Sequence, residues 1–116
     1  MNKLFFLFLF VAGISFTTKA QSDTLIKQSV IPVLGDCDNC KINIEKAASY
    51  VKGVKKASWD KDQQLLTVVY RTDKTTELQI EEAIAKAGYD TRDVKADEKA
   101  YEKLPACCHY RTVEKH

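Results

Sequence analysis

The chain has 116 residues, room for at most one ordinary domain. It carries 18 Lys and Arg against 16 Asp and Glu, a formal charge of +2. The first twenty residues hold Lys3 and Lys19 and no acid, so the remainder is neutral and has no electrostatic footprint for nucleic acid.

Residues 1–20 read as a leader rather than as part of a fold. Lys3 gives a basic start, Leu4 to Ile14 is an almost unbroken apolar run, and Thr18-Lys19-Ala20 places small residues at −3 and −1 of a cut. The pattern predicts a cleavable secretory signal peptide, cut near Ala20 and too short for a comfortable membrane span. An uncleaved N-terminal anchor is the alternative. No cysteine follows the apolar run, which argues against a lipoprotein. The expected organisation is signal peptide 1–20, a domain over 21–96 and a tail over 97–116. The mature protein is then periplasmic or secreted and does not span a membrane.

After a polar lead-in, the Ile- and Val-rich stretch Leu25 to Leu34 reads as a strand, with Pro32 marking an edge or an exit from the sheet. A loop over 35–39 leads into a predicted helix over 40–52. There Cys40, Ile44, Ala47, Ala48 and Val51 share one face, Asp38 or Asn39 is the cap, and Gly53 the stop. Val54 to Asp60 and Gln64 to Arg71 read as a strand pair joined by the polar turn Lys61-Asp62-Gln63. Trp59 and Tyr70 are simplest as core or sheet-face aromatics. Thr76-x-x-Gln79 has the form of a capping box. Leu78, Ile80, Ala83, Ile84 and Ala87 mark a second amphipathic helix, ended by Gly88, and Thr91 to Ala96 reads as a last strand. The order β-α-β-β-α-β is that of an α+β ferredoxin-like sandwich, four antiparallel strands with two helices on one face. Asp97 to Leu104 predicts a short extra helix that Pro105 stops, followed by Cys107, Cys108 and His109.

The four cysteines fall in two tight clusters, Cys37/Cys40 and Cys107/Cys108. Disulfide scaffolds of small exported domains usually spread their cysteines, whereas clustered pairs suit local ligation. A long-range disulfide between the clusters stays open. Cys37 on the loop and Cys40 in the first helical turn can reach one point, and the helix N-terminus favours thiolate there. Thiolates bind soft metals and also attack disulfides, so the pair is either a metal clamp or a redox pair. Asp36 and Asp38 flank Cys37, and their charge opposes the helix effect. Cys107, Cys108 and His109 offer two sulfurs and an imidazole. They are candidates for a second site, or for a third ligand to Cys37/Cys40, with one cysteine favoured over both because the intervening peptide resists joint ligation. Zn(II) would suit a set that includes His109. A vicinal disulfide, or a bridge from Cys107 or Cys108 to the first pair, is the alternative.

In combination, Cys37-x-x-Cys40 between strand and helix, Ile44-Glu45-Lys46-Ala47, Gly53-Val54, and Ala83-Ile84 through Ala87-Gly88-Tyr89 resemble the heavy-metal-associated domain family over about residues 25–96. The family includes copper chaperones, amino-terminal modules of copper-transporting ATPases and a periplasmic mercury-binding protein. The resemblance implies that the two cysteines bind Cu(I) or Hg(II) and hand it on by ligand exchange. It also implies that Tyr89 lies close to the metal loop and shields it. The family's usual Gly-Met-x-Cys-x-x-Cys is here Gly35-Asp36-Cys37-Asp38-Asn39-Cys40, one residue shorter and without the methionine that packs under the loop. This loop must have a different anchor.

The reading favoured is an exported, non-enzymatic carrier or scavenger of a soft metal, Cu(I) first, with Hg(II) or Zn(II) as other candidates. Cys37 and Cys40 are the expected ligands. Cys107, Cys108 and His109 are further candidates, and Tyr89, Asp36 and Asp38 are the surrounding residues. Expected partners are the ion and a membrane metal transporter or another metal-binding domain, with the protein a monomer or a metal-bridged dimer. The alternatives are a periplasmic Hg(II) transport component, a metal-sensing accessory subunit and, from another class, a thiol–disulfide redox protein.

Overall fold

The computed structural model describes residues 25–111. The expected signal peptide and the extreme C-terminus lie outside the described residues.

Three strands form one antiparallel sheet. β1 (Ile26–Pro32) and β2 (Val54–Asp60) both pair with the central β3 (Leu65–Arg71). Ile26 faces Arg71 and Pro32 faces Leu65, while Trp59 faces Leu66. β1 is thus an edge strand, and it ends at Pro32, which has no N–H to continue a ladder. Alternation along β3 turns Leu66, Val68 and Tyr70 inward, joined by Ile31 from β1 and Trp59 from β2.

Helix α1 (Asp38–Ser49) lays Cys40, Ile44 and Ala48 onto that face, and α2 (Glu77–Lys86) adds Ile80 and Ile84. Thr76 caps α2 as its sequence predicts, its Oγ1 accepting from the Gln79 N–H at 3.2 Å. The Gln79 side chain does not complete the reciprocal box. Its Oε1 accepts from Thr75 Oγ1 at 3.0 Å instead. Leu78, expected on the apolar face, is 50% exposed, and the buried positions are taken by Glu81 and Ala85.

Three expectations are corrected. First, α1 starts two residues earlier than predicted, with Cys37 as its N-cap, so Asp38 and Asn39 lie inside the first turn rather than capping it. Second, α1 ends at Ser49, and Gly53 (φ +102°) serves the turn into β2 rather than the helix terminus. Third, no fourth strand is formed among the described residues. Thr91 makes only an isolated bridge to Val33.

The reason for the missing strand is a competition for backbone donors. The Ala96 N–H donates to Asp90 Oδ1 (2.8 Å), the Val94 N–H to Thr91 Oγ1 (3.1 Å) and the Asp93 N–H to Glu81 Oε1 (2.9 Å). Short polar side chains offering such local bonds draw a segment away from a ladder. Glu81, fully buried, also accepts from Thr91 Oγ1 at 2.8 Å and thereby fixes the loop onto α2.

The chain then makes the short helix α3 (Glu98–Glu102), capped by Asp97, whose side chain accepts from the Ala100 N–H. Pro105 leads into a 3₁₀ turn over Ala106–Cys108. α3 approaches Gly88 (φ +107°) so closely that a Cβ there would lie 3.1 Å from the Ala100 backbone. Glycine at position 88 thus both ends α2 and admits the tail.

Candidate metal centre

The loop between β1 and α1 is held from below by two side chains. The Gln64 amide clamps Gly35 from both sides: Oε1 accepts from the Gly35 N–H at 3.1 Å, and Nε2 donates to the Gly35 carbonyl at 2.8 Å. Gln64 itself sits at φ +61° at the end of the β2–β3 turn. Trp59 Nε1 donates to the Val33 carbonyl at 2.9 Å, and its ring lies so close that a Cβ on Gly35 would meet Cη2 at 2.9 Å. Only glycine fits over that indole. Trp59 and Gln64 together anchor the loop from below.

Glu45 ties the first turns of α1 to β2, its Oε2 accepting from the Trp59 N–H (2.8 Å) and from Lys41 Nζ (2.6 Å). Cys37 and Cys40 therefore emerge from a braced strand–loop–helix corner. Their sulfurs lie 3.4 Å apart. Cys40 is fully buried, and its Sγ accepts from the Asp36 N–H at 3.3 Å.

The second cysteine cluster arrives at the same corner from some seventy residues away. Cys107 Sγ lies 2.9 Å, and Cys108 Sγ 3.3 Å, from Cys37 Sγ. The ligand atoms of Cys37, Cys40 and Cys108 all fall within 4.8 Å of one another. All four cysteines are free thiols. Burial pushes the Cys108 thiol well up, with Cys40 and Cys37 adding to the effect. Such a thiol keeps its proton until a cation bound directly to the sulfur displaces it.

The other expected residues fall out as follows. Tyr89 is fully buried, and its hydroxyl accepts from Asn43 Nδ2 at 3.0 Å. Burial raises its phenol pKa, and both Cys40 and Cys108 are close enough to add to the rise. Asp36 contributes through its backbone. The Asp38 carboxylate is 89% exposed, 3.6 Å from Lys61 Nζ, and so is turned outward to a cation. His109 stacks on Tyr101, ring centroids 5.0 Å apart, and is not a member of the three-residue group.

A latch invisible in the sequence positions the tail. Tyr110 Oη donates to the Gly88 carbonyl (3.0 Å) and accepts from the Asp90 N–H (2.8 Å), while its ring stacks on Tyr89. The Arg111 guanidinium lies 4.4 Å over the Tyr101 ring and pairs with both Asp90 (2.8 Å) and Glu98 (2.9 Å). Burial acts to raise the Asp90 carboxyl. The hydrogen bond and charge of Arg111, with the Ala96 N–H, outweigh it and hold Asp90 below the usual carboxylate range.

This depressed value sets a pH dependence. The stabilisation is complete above the unfolded pKa, about 4, and is lost as the pH falls through the lower native value. The tail is therefore expected to loosen under acid below about pH 4. Near-UV circular dichroism of the tyrosines, compared with the far-UV signal, checks this. Tyrosine signals that hold until the whole domain unfolds would contradict it.

A braced corner that gathers three sulfurs on an α+β scaffold defines a soft-metal-binding module. Residues 36–90 match the heavy-metal-associated domain model. Among solved structures, the CopZ metallochaperone is 30% identical (TM-score 0.54), with 56% of this chain and 98% of that one covered. A copper binding domain from HMA7, a P-type ATPase, is 32% identical (TM-score 0.54; 56% and 89% covered). Oxidized MerP from Ralstonia metallidurans CH34 is 30% identical (TM-score 0.55; 57% and 93% covered). No curated protein matches. The chain belongs to the heavy-metal-associated domain family. Among the described residues, no helix is long and apolar enough to cross a membrane.

Proposed function

We propose that this protein is an exported carrier or scavenger of a soft metal ion, copper(I) first, held by Cys37 and Cys40 with Cys108 as a third ligand. The observation that carries the reading is the group of three sulfurs within 4.8 Å at the loop–helix corner. Three thiolates match the preference of Cu(I) for soft donors, and the burial of Cys40 and Cys108 shields the ion from water and oxidant. Likeness to a metallochaperone and to an ATPase copper domain supports transfer to a membrane transporter or to a second metal-binding domain. Transfer proceeds by thiolate exchange: an incoming sulfur adds, then one original sulfur leaves. No bond of a substrate is made or broken, so the role is binding rather than catalysis. The leader over 1–20 supports a periplasmic or secreted location.

An anaerobic Cu(I) titration of the reduced protein against a coloured Cu(I) chelator tests the reading. Effective competition with the chelator is the expected result. Failure to compete, with Hg(II) or Zn(II) retained instead, would replace copper by that ion.

A further inference from the structure

We propose that the two adjacent tail cysteines have different tasks: Cys108 closes the buried sulfur group over the ion, and Cys107 is the exposed thiol through which the ion enters and leaves. The inference rests on the reading of Cys37 and Cys40 as ligands and adds the route of exchange.

The division begins with backbone geometry. Ala106–Cys108 is a 3₁₀ turn, in which successive side chains diverge by about a third of a revolution. Two neighbouring side chains on such a turn meet different surroundings even though both sulfurs reach Cys37. Cys108 points inward and is fully buried, within the three-sulfur group. Cys107 is exposed. Even so, its Sγ reaches Cys37 Sγ at 2.9 Å and accepts from Asn39 Nδ2 at 3.6 Å. The Tyr110 and Arg111 latch fixes the turn immediately after it, so this exposed thiol is positioned rather than wandering.

Cys37 is the pivot. Its sulfur touches those of Cys40 (3.4 Å), Cys108 (3.3 Å) and Cys107 (2.9 Å). An ion on Cys37, Cys40 and Cys108 can exchange Cys108 for Cys107 without ever leaving Cys37 or Cys40. In that step a metal–sulfur bond to Cys107 forms as the Cys107 proton goes to water. The bond to Cys108 breaks, and that sulfur takes up a proton. Neither metal nor sulfur changes oxidation state. The ion then has one ligand at the surface, Cys107, beside which an acceptor thiol can add to it. A thiol held in place acts at a far higher effective concentration than one diffusing in.

The test uses the reduced full-length protein, Cys107→Ser and Cys108→Ser, loaded in parallel with Cu(I) and with Hg(II). Affinity is read by chelator competition, and the rate of release by stopped-flow mixing with excess chelator. Cys107→Ser is expected to keep its affinity within about threefold while release, and loading with it, slows about tenfold. Cys108→Ser is expected to weaken affinity about tenfold or more and to change the sulfur-to-metal absorption. Cys107 is exposed, so its variant folds whatever becomes of the buried position, and it is the deciding arm. Release from Cys107→Ser as fast as from the unmodified protein would overturn the inference, as would a loss of affinity equal to that of Cys108→Ser. Either result leaves the metal-binding reading standing. An unmodified protein that binds neither ion would overturn both.

Discussion

Cys37→Ser is expected to weaken Cu(I) binding by more than the roughly 10–100-fold typical of changes around a metal's direct ligands, while leaving the apo protein at least as stable as before. The metal effect follows from position. Cys37 is the sulfur that touches the other three, at 3.4, 2.9 and 3.3 Å, so its loss reduces the three-sulfur group to the Cys40–Cys108 pair. A serine hydroxyl is a hard donor that keeps its proton at neutral pH, and a soft ion gains little from it. The stability effect follows from the backbone. Cys37 is the N-cap of α1 and makes no side-chain cap bond. Serine is among the preferred caps, and its oxygen can accept one of the orphan N–H groups of the first turn, worth about 0.5–1 kcal/mol. Chelator competition and urea unfolding of the apo protein read the two effects separately. A loss of affinity under tenfold would show that Cys37 is not a ligand.

Trp59→Ala is expected to destabilise the fold by about 3–5 kcal/mol, the range for truncating a buried large aromatic. Trp59 is 1% exposed, and its indole fills the space between the sheet and the Gly35 loop. Removing it also leaves the Val33 carbonyl without its 2.9 Å partner, a further penalty of order 1 kcal/mol. A small domain holds about 5–15 kcal/mol in all, so the variant sits near the edge of folding. Trp59→Phe restores most of the packing but not the hydrogen bond, and should fall between the two. Urea midpoints followed by far-UV circular dichroism check the series. Saturating metal should recover part of the loss, because an ion that binds only the folded chain stabilises it by mass action. A Trp59→Ala midpoint indistinguishable from that of the unmodified protein would mean that the loop stands without this support.

These two residues divide the labour of the corner. Cys37 supplies chemistry on a half-buried cap, where substitution costs binding and not folding. Trp59 supplies the platform, where substitution costs folding first. The Gln64 clamp on Gly35 belongs with Trp59, since it fixes the same loop from the end of the β2–β3 turn.

What the sequence determined by itself is what short stretches of chain encode. The strand over Val54–Asp60 matches its predicted bounds, and the strand that follows differs by one residue. The apolar stripe Cys40–Ile44–Ala48 is buried, and Thr76 caps its helix, because periodicity and capping depend on neighbours within a few residues. The Thr91 to Ala96 segment was not legible in the same way. Its strand-like composition lost to bonds from Glu81 and Asp90, which lie outside it. Nor could the sequence choose among the fates of the tail cysteines. Tertiary structure decides that Cys107 and Cys108 meet Cys37, through Tyr101, Tyr110 and Arg111 packing on Gly88, Asp90 and Glu98. Those contacts leave no periodic or spacing signal in the chain. Only the folded domain brings the two ends of such a latch within reach, and so only the fold turns two separate pairs of cysteines into one site.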